Sequence, residues 1–153
     1  MIRSALPRDI PSLIRLLRQV LQVHHRGRPD LFRGEGTKYG EKELAGLLTD
    51  PERPVFVYET DGCVQGYAFC VLEQVSGAQL VDEKLLYIDD LCVDEACRGQ
   101  GIGKALYGYV KRFAREQGCR RVTLNVWCLN EGAMKFYEAL GMKPYKIGME
   151  EIL

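Results

Sequence analysis

YIDDLCVDEACRGQGIGKAL, residues 87–106, runs from an apolar strand pattern through three alternating glycines into the start of an amphipathic helix. The strand, KLLYIDDLCV, is interrupted only by the adjacent carboxylates Asp89 and Asp90, which in a regular strand point to opposite faces. Gly99, Gly101 and Gly103 stand directly before the helix GIGKALYGYVKRFAREQ. That order builds an anion nest, because the first N–H groups of a helix are unpaired and a glycine lets a phosphate approach the backbone. The loop suits a pyrophosphate. Spacing disfavours two common phosphate loops. GxGxxG needs a glycine where Lys104 stands and an acid near Thr123, and the Walker pattern needs a glycine at Arg98 and a hydroxyl at Ala105.

Outward from this segment the chain alternates strand and helix signals. IRSA is a short strand. PRDIPSLIRLLRQVLQV is a helix with Asp9 as N-cap and an apolar stripe of Leu13, Leu16, Leu17, Val20 and Leu21. HHRGRPDLFRGEGTKYG is irregular, broken by four glycines and a proline, and EKELAGLLTD forms a short helix. PVFVYET and CVQGYAFCVLEQV flank Asp61-Gly62, a two-residue hairpin turn, so they pair antiparallel. RRVTLNV is a strand after the long helix, which Gly118 ends. NEGAMKFYEAL is a helix closed by Gly141, and MKPYKIGMEEIL supplies one or two terminal strands.

With Arg98-x-x-Gly101-x-Gly103 in mid-chain and NEGAMKFYEALGM after it, the sequence resembles the GCN5-related N-acetyltransferases. Their second signature is Asn-x-x-Ala-x-x-Phe-Tyr-x-x-x-Gly. The resemblance implies an α/β fold with a mixed central sheet flanked by helices, whose parallel strands splay so that acetyl-coenzyme A enters between them. It implies acetyl transfer to a primary amine by direct attack, with acetyl-CoA as co-substrate, an amine acceptor as partner and dimers as a common assembly. IGMEEIL is then a candidate pairing edge. A small-molecule acceptor is the first reading. A protein N-terminus or lysine, and a non-catalytic CoA-binding sensor, are the alternatives.

Residue by residue, the resemblance assigns the pyrophosphate to Arg98, Gly99, Gln100, Gly101, Ile102, Gly103 and Lys104, and the pantetheine arm to the backbone of Leu91, Cys92 and Val93. Asn130 and Ala133 hold the cofactor from the last helix, and the Tyr137 phenol protonates the departing thiolate while Phe136 packs into the core. Polyamine-acetylating members carry YIEDFFV where this chain has YIDDLCV, which sets Asp89 against the glutamate that contacts substrate amine. The chemistry requires such a group: an amine of pKa about 10.4 is protonated at neutral pH, and removing that proton costs roughly 4.6 kcal/mol. Asp89 and Asp90 are therefore the candidate proton relays. The loop after the first helix walls the acceptor site in the family, which makes His25, Arg28, Asp30 and Phe32 candidate substrate contacts.

Composition narrows the remaining classes. The 153 residues, 46% hydrophobic and 27% charged, suit one domain over residues 1–153. Twenty-one basic and 21 acidic residues cancel, so nucleic acid and membrane surfaces are not expected partners. Six cysteines show no CxxC or metal-ligand spacing, and adjacent His24 and His25 face different ways on a helix, so no metal is expected. An N-terminus without a signal-peptide pattern and the absence of a long apolar run point to the cytoplasm.

Overall fold

In the computed structural model, which describes residues 1–153, the Asp61-Gly62 dipeptide adopts φ values of 49° and 79°. Both lie in the left-handed region that a tight hairpin turn demands. The turn joins β2 (Val55–Thr60) to β3 (Cys63–Val75), and β3 pairs antiparallel with β4 (Glu83–Val93). β1 (Ile2–Ser4) closes one edge against β2, and β5 (Arg121–Leu124) closes the other, parallel to β4. The five strands lie in sequence order across one mixed sheet.

Helices α1 (Ile10–Gly27) and α2 (Glu41–Leu47) cover one face; α3 (Ile102–Glu116) covers the other, with α4 (Glu131–Ala139) following β5. The apolar stripe of α1 explains its seat. Leu13 and Leu16 are fully buried against Val57, Tyr67 and Phe69, and each buried leucine contributes about 1.5–3 kcal/mol. On the opposite face Tyr107 and Val110 of α3 meet Phe56, Ala68, Leu86 and Ile88. No helix is long and apolar enough to cross a membrane.

Two sequence expectations change. Asp9 occupies the N-cap position of α1, but its carboxylate does not cap that helix. It accepts from the Leu6 N–H at 2.7 Å and from both Arg3 Nη atoms at 2.7 and 3.0 Å, so the arginine holds its pKa below the ordinary carboxylate value. The terminal strands are absent. After the Met142 N–H bonds the Tyr137 carbonyl at 3.1 Å, no backbone hydrogen bond ties residues 143–153 to the rest of the chain, because the outer edge of β5 does not pair with them. A strand without a neighbour has nothing to satisfy its backbone.

Candidate functional site

β4 is longer than its partnership with β5. The parallel pairing stops at Ile88↔Leu124, while β4 continues to Val93 paired only with β3. The edge of Asp89–Val93 that would have faced β5 is left unpaired, and a cleft between the two strands begins where their pairing ends. At its far end Asp94 accepts from the Ala96 N–H at 3.1 Å, ion-pairs with Arg15 and takes a 3.3 Å bond from Gln19, which pins the strand end to α1.

The glycine loop follows. Gly99 and Gly101 both have φ of +80°, and a Cβ at either would meet nothing within 4 Å. These faces are open, so an anion can approach the backbone. Gly101 N-caps α3, and the first helical bond of that turn is Ala105 N–H to the Gly101 carbonyl at 3.0 Å, which leaves the N–H groups of Ile102, Gly103 and Lys104 pointing out of the helix end. Gly103 has a different reason: a Cβ there would lie 3.0 Å from the Phe136 ring and 3.5 Å from Val93, so it permits α4 and the strand end to close on α3. Arg98, Gln100 and Lys104 are exposed around the nest, with Arg98 Nε donating to the Val93 carbonyl at 3.4 Å, whereas the Ile102 side chain is buried and offers only its backbone.

At the other end of the cleft the two carboxylates do not face opposite ways. Cys70 pairs with Ile88 and Phe69 with Asp90, so Asp89 is the extra residue of a β-bulge. The bulge breaks the alternation and aims both side chains toward the α1 side. Asp89 accepts from Tyr39 Oη at 2.5 Å and from Lys38 Nζ at 2.9 Å; Asp90 accepts from Tyr67 Oη at 2.7 Å. Both tyrosine rings pack on Phe69, 5.5 and 4.8 Å between centroids. Desolvation raises the Asp90 carboxyl to about 6, Tyr67 and Lys38 opposing the shift. Tyr39 is pushed up to about 12, chiefly by burial and then by Asp89.

Tyr137 lies on the buried side of α4, 9% exposed, and Phe136, expected to be the buried one of the pair, is half-buried. Burial first, then the charges of Asp90 and Tyr107, raise the Tyr137 phenol above its ordinary value, so it stays protonated at neutral pH. The Asn130 Oδ1 caps α4 by accepting from the Ala133 N–H at 3.1 Å, which leaves its amide nitrogen for a ligand. Cys92 is buried and its thiol pushed up to about 12, unsuited to acyl transfer.

The expected acceptor residues do not join the carboxylates. His25 Nδ1 sits 2.8 Å from the Phe32 carbonyl, and Arg28 binds Asp30 at 2.8 and 2.9 Å. Phe32 packs between His24 (centroids 4.8 Å apart, tilted) and Trp127 (4.9 Å, edge-on). Residues that reach Asp89 and Asp90 include Lys38, Tyr39 and Tyr67, and Asn125 Nδ2 donates to the Tyr87 hydroxyl at 3.2 Å across the start of the cleft. Nothing local marks them, since Tyr39 lies in an irregular loop and Tyr67 reads as an ordinary strand aromatic. The only available signal was a hydroxyl inside an apolar strand.

The family model described as Acetyltransferase (GNAT) family matches residues 17–142. Thialysine N-epsilon-acetyltransferase of Bos taurus is 28% identical over 149 residues, 92% of this chain and 82% of that protein. Glucosamine 6-phosphate N-acetyltransferase of Trypanosoma brucei brucei is 31% identical over 107 residues, 69% of this chain and 65% of that protein. An N-acetyltransferase of Methanocaldococcus jannaschii is 32% identical over 66% of this chain, which spans 44% of that longer protein. Among solved structures, a mutant of the BH1408 protein from Bacillus halodurans superposes with a TM-score of 0.96 at 29% identity, covering 100% of this chain and 99% of that one.

Proposed function

This chain belongs to the GNAT acetyltransferase family, and from that premise we propose that it moves an acetyl group from acetyl-CoA to the primary amine of a small molecule. One observation carries the reading. β4 outruns β5 and ends in a nest of open-faced glycines, while two carboxylates stand where the strands part. The anionic cofactor and the cationic acceptor therefore approach one strand from different ends. Relatives named for small amine acceptors, thialysine (82% of that protein covered) and glucosamine 6-phosphate (65% covered), support a small acceptor here.

The proposed chemistry uses the chain's own groups. The N–H groups at the start of α3, with Arg98, Gln100 and Lys104, hold the pyrophosphate; the free edge of Leu91–Val93 holds the pantetheine arm and offers an N–H to the thioester carbonyl. Asp89 binds the acceptor ammonium, taking over from Lys38. Asp90, whose pKa of about 6 leaves it ionised at neutral pH, takes the ammonium's first proton and passes it to solvent. The freed lone pair bonds to the carbonyl carbon, and the second nitrogen proton leaves by the same carboxylate as the amide forms. The carbon–sulfur bond breaks and Tyr137 gives its proton to sulfur.

Titration calorimetry with acetyl-CoA, followed by an acetylation screen over polyamines, amino acids, amino sugars and peptides, tests the reading. Saturable binding with turnover on a small amine is expected. Binding without turnover on any pool would make the chain a sensor, and turnover confined to peptides would overturn the small-molecule assignment.

A further inference from the structure

The carboxylate proposed to seat the acceptor ammonium already holds one. Lys38 Nζ donates to Asp89 Oδ1 at 2.9 Å and to the Asp89 main-chain carbonyl at 3.2 Å. Asp89 is the first residue of β4 beyond its last pair with β5, so this ammonium sits where the two strands part. Alone among the lysines of the chain, Lys38 forms an ion pair. Its side chain is 46% exposed. A half-exposed pair of this kind adds little to folding, so stability is a weak reason for its presence.

The loop delivers the ammonium through a braced segment. Gln22 of α1 donates to the Gly34 carbonyl at 2.7 Å, Gly36 turns the chain with φ of +98°, and the Thr37 hydroxyl donates to the Tyr39 carbonyl at 2.6 Å. Tyr39 then anchors the segment. Its hydroxyl donates to the other oxygen of the same carboxylate at 2.5 Å, Arg53 Nη2 donates to that hydroxyl at 3.0 Å, and its ring packs on Phe69. Lys38 is therefore kept at Asp89 by its neighbour in sequence, on a flexible stem that lets the ammonium shift.

On the acetyl-transfer reading of this site, we propose that Lys38 is itself an acceptor: with acetyl-CoA bound and no free amine at Asp89, the chain acetylates its own Lys38 Nζ. A thioester at the end of a pantetheine arm along Leu91–Val93 arrives beside the residue that holds this ammonium. An amine already in place needs no diffusional encounter. Asp90 takes one proton from Nζ, the freed lone pair bonds to the carbonyl carbon, and the carbon–sulfur bond breaks as Tyr137 protonates sulfur. A second proton leaves nitrogen. Of the two protons lost, one replaces the proton given by Tyr137 and the other goes to solvent, so lysine ammonium and acetyl-CoA become acetyl-lysine, coenzyme A thiol and one proton. The product is a neutral amide, which leaves Asp89 without its internal cation and clears it for an external ammonium.

The full chain is incubated with acetyl-CoA at neutral pH without added amine, and acetyl occupancy at every lysine is read by digestion and mass spectrometry. Lys38 should be labelled in about tenfold or greater excess over the exposed Lys42 and Lys104, at a rate per molecule that does not change with protein concentration. Tyr137→Phe and Asp90→Asn should each slow the labelling by about tenfold or more. Chemical acetylation of a surface lysine would respond to neither. Lys38→Arg keeps the charge beside Asp89 but offers no nucleophile at neutral pH, and should abolish the label. A chain that acetylates an amine of the screen while Lys38 stays unmodified overturns self-transfer and leaves the small-amine reading standing. One that binds acetyl-CoA and acetylates neither overturns both. Labelling that is indifferent to Asp90 and Tyr137, or whose rate per molecule rises with protein concentration, overturns the intramolecular transfer. The wild-type measurement decides the matter even if a variant fails to fold.

Discussion

Asp90 is the residue at which stability and chemistry pull in opposite directions. Its carboxyl, raised from an ordinary 3.8 to about 6 by desolvation, binds its proton more tightly in the folded state than in the unfolded one. Its contribution to stability is therefore complete below about pH 4 and is lost as pH rises through about 6. Asp90→Asn removes the ionisation while keeping an acceptor for the Tyr67 hydroxyl. The variant should melt above wild type at pH 8 and converge with it near pH 4. Its rate should fall most near neutrality and recover partly in alkali, where free amine is more abundant, whereas wild-type kcat/KM should decline below about pH 6. An equal loss of rate at every pH would assign Asp90 to structure. Tyr137→Phe separates the phenol from the ring that packs beside Phe136 and Tyr107. Single-turnover rates should fall by about 10²-fold with acetyl-CoA affinity unchanged, and an undiminished rate would remove the acid from the mechanism.

Between elements, the position of the glycine loop depends on how closely α3 can sit on the sheet. Gly66 of β3 is buried where the first turn of α3 crosses, and a Cβ there would lie 2.8 Å from the Cys92 carbonyl oxygen, 3.1 Å from Leu106 and 3.3 Å from Ile102. The carbonyl belongs to the same stretch of β4 that is proposed to hold the pantetheine arm, and Ile102 opens the helix whose amides face the pyrophosphate. Gly66→Ala should therefore cost about 1–3 kcal/mol in denaturant unfolding and also weaken acetyl-CoA binding in calorimetry. Lost stability with unaltered affinity would show that the nest holds its geometry without this contact. The β-bulge at Asp89 works at the same scale: one unpaired residue turns two side chains that alternate in a regular strand toward a common space.

Across the molecule, two apolar clusters lie on opposite faces of one sheet, and the strands that separate them contribute to both: Val57 and Phe69 to the α1 face, Phe56 and Ala68 to the α3 face. Neither cluster can dissolve without exposing the strands that bound the other. Leu16→Ala on the first face and Leu86→Ala on the second, both fully buried, should each destabilise by about 2–5 kcal/mol. Each variant should still unfold in one transition, with near- and far-ultraviolet dichroism coincident. Two separated transitions would divide residues 1–153 into independent units.

Local patterns were enough for most of the elements and for the place of the glycine loop before α3. The period-two runs of β2 to β4, the Asp61-Gly62 turn, the stripe of α1 and the glycines before α3 depend on neighbours in sequence, and backbone sterics act over that range. Tertiary structure decided what depends on partners. Asp89 and Asp90 share a space because β3 and β4 slip by one residue, and Lys38, Tyr39 and Tyr67 come to them from two other elements. Asp9 serves Arg3 because β1 brings that arginine within reach. MKPYKIGMEEIL carries the alternation of a strand, yet a strand exists only where another backbone accepts its hydrogen bonds, and within one chain none does.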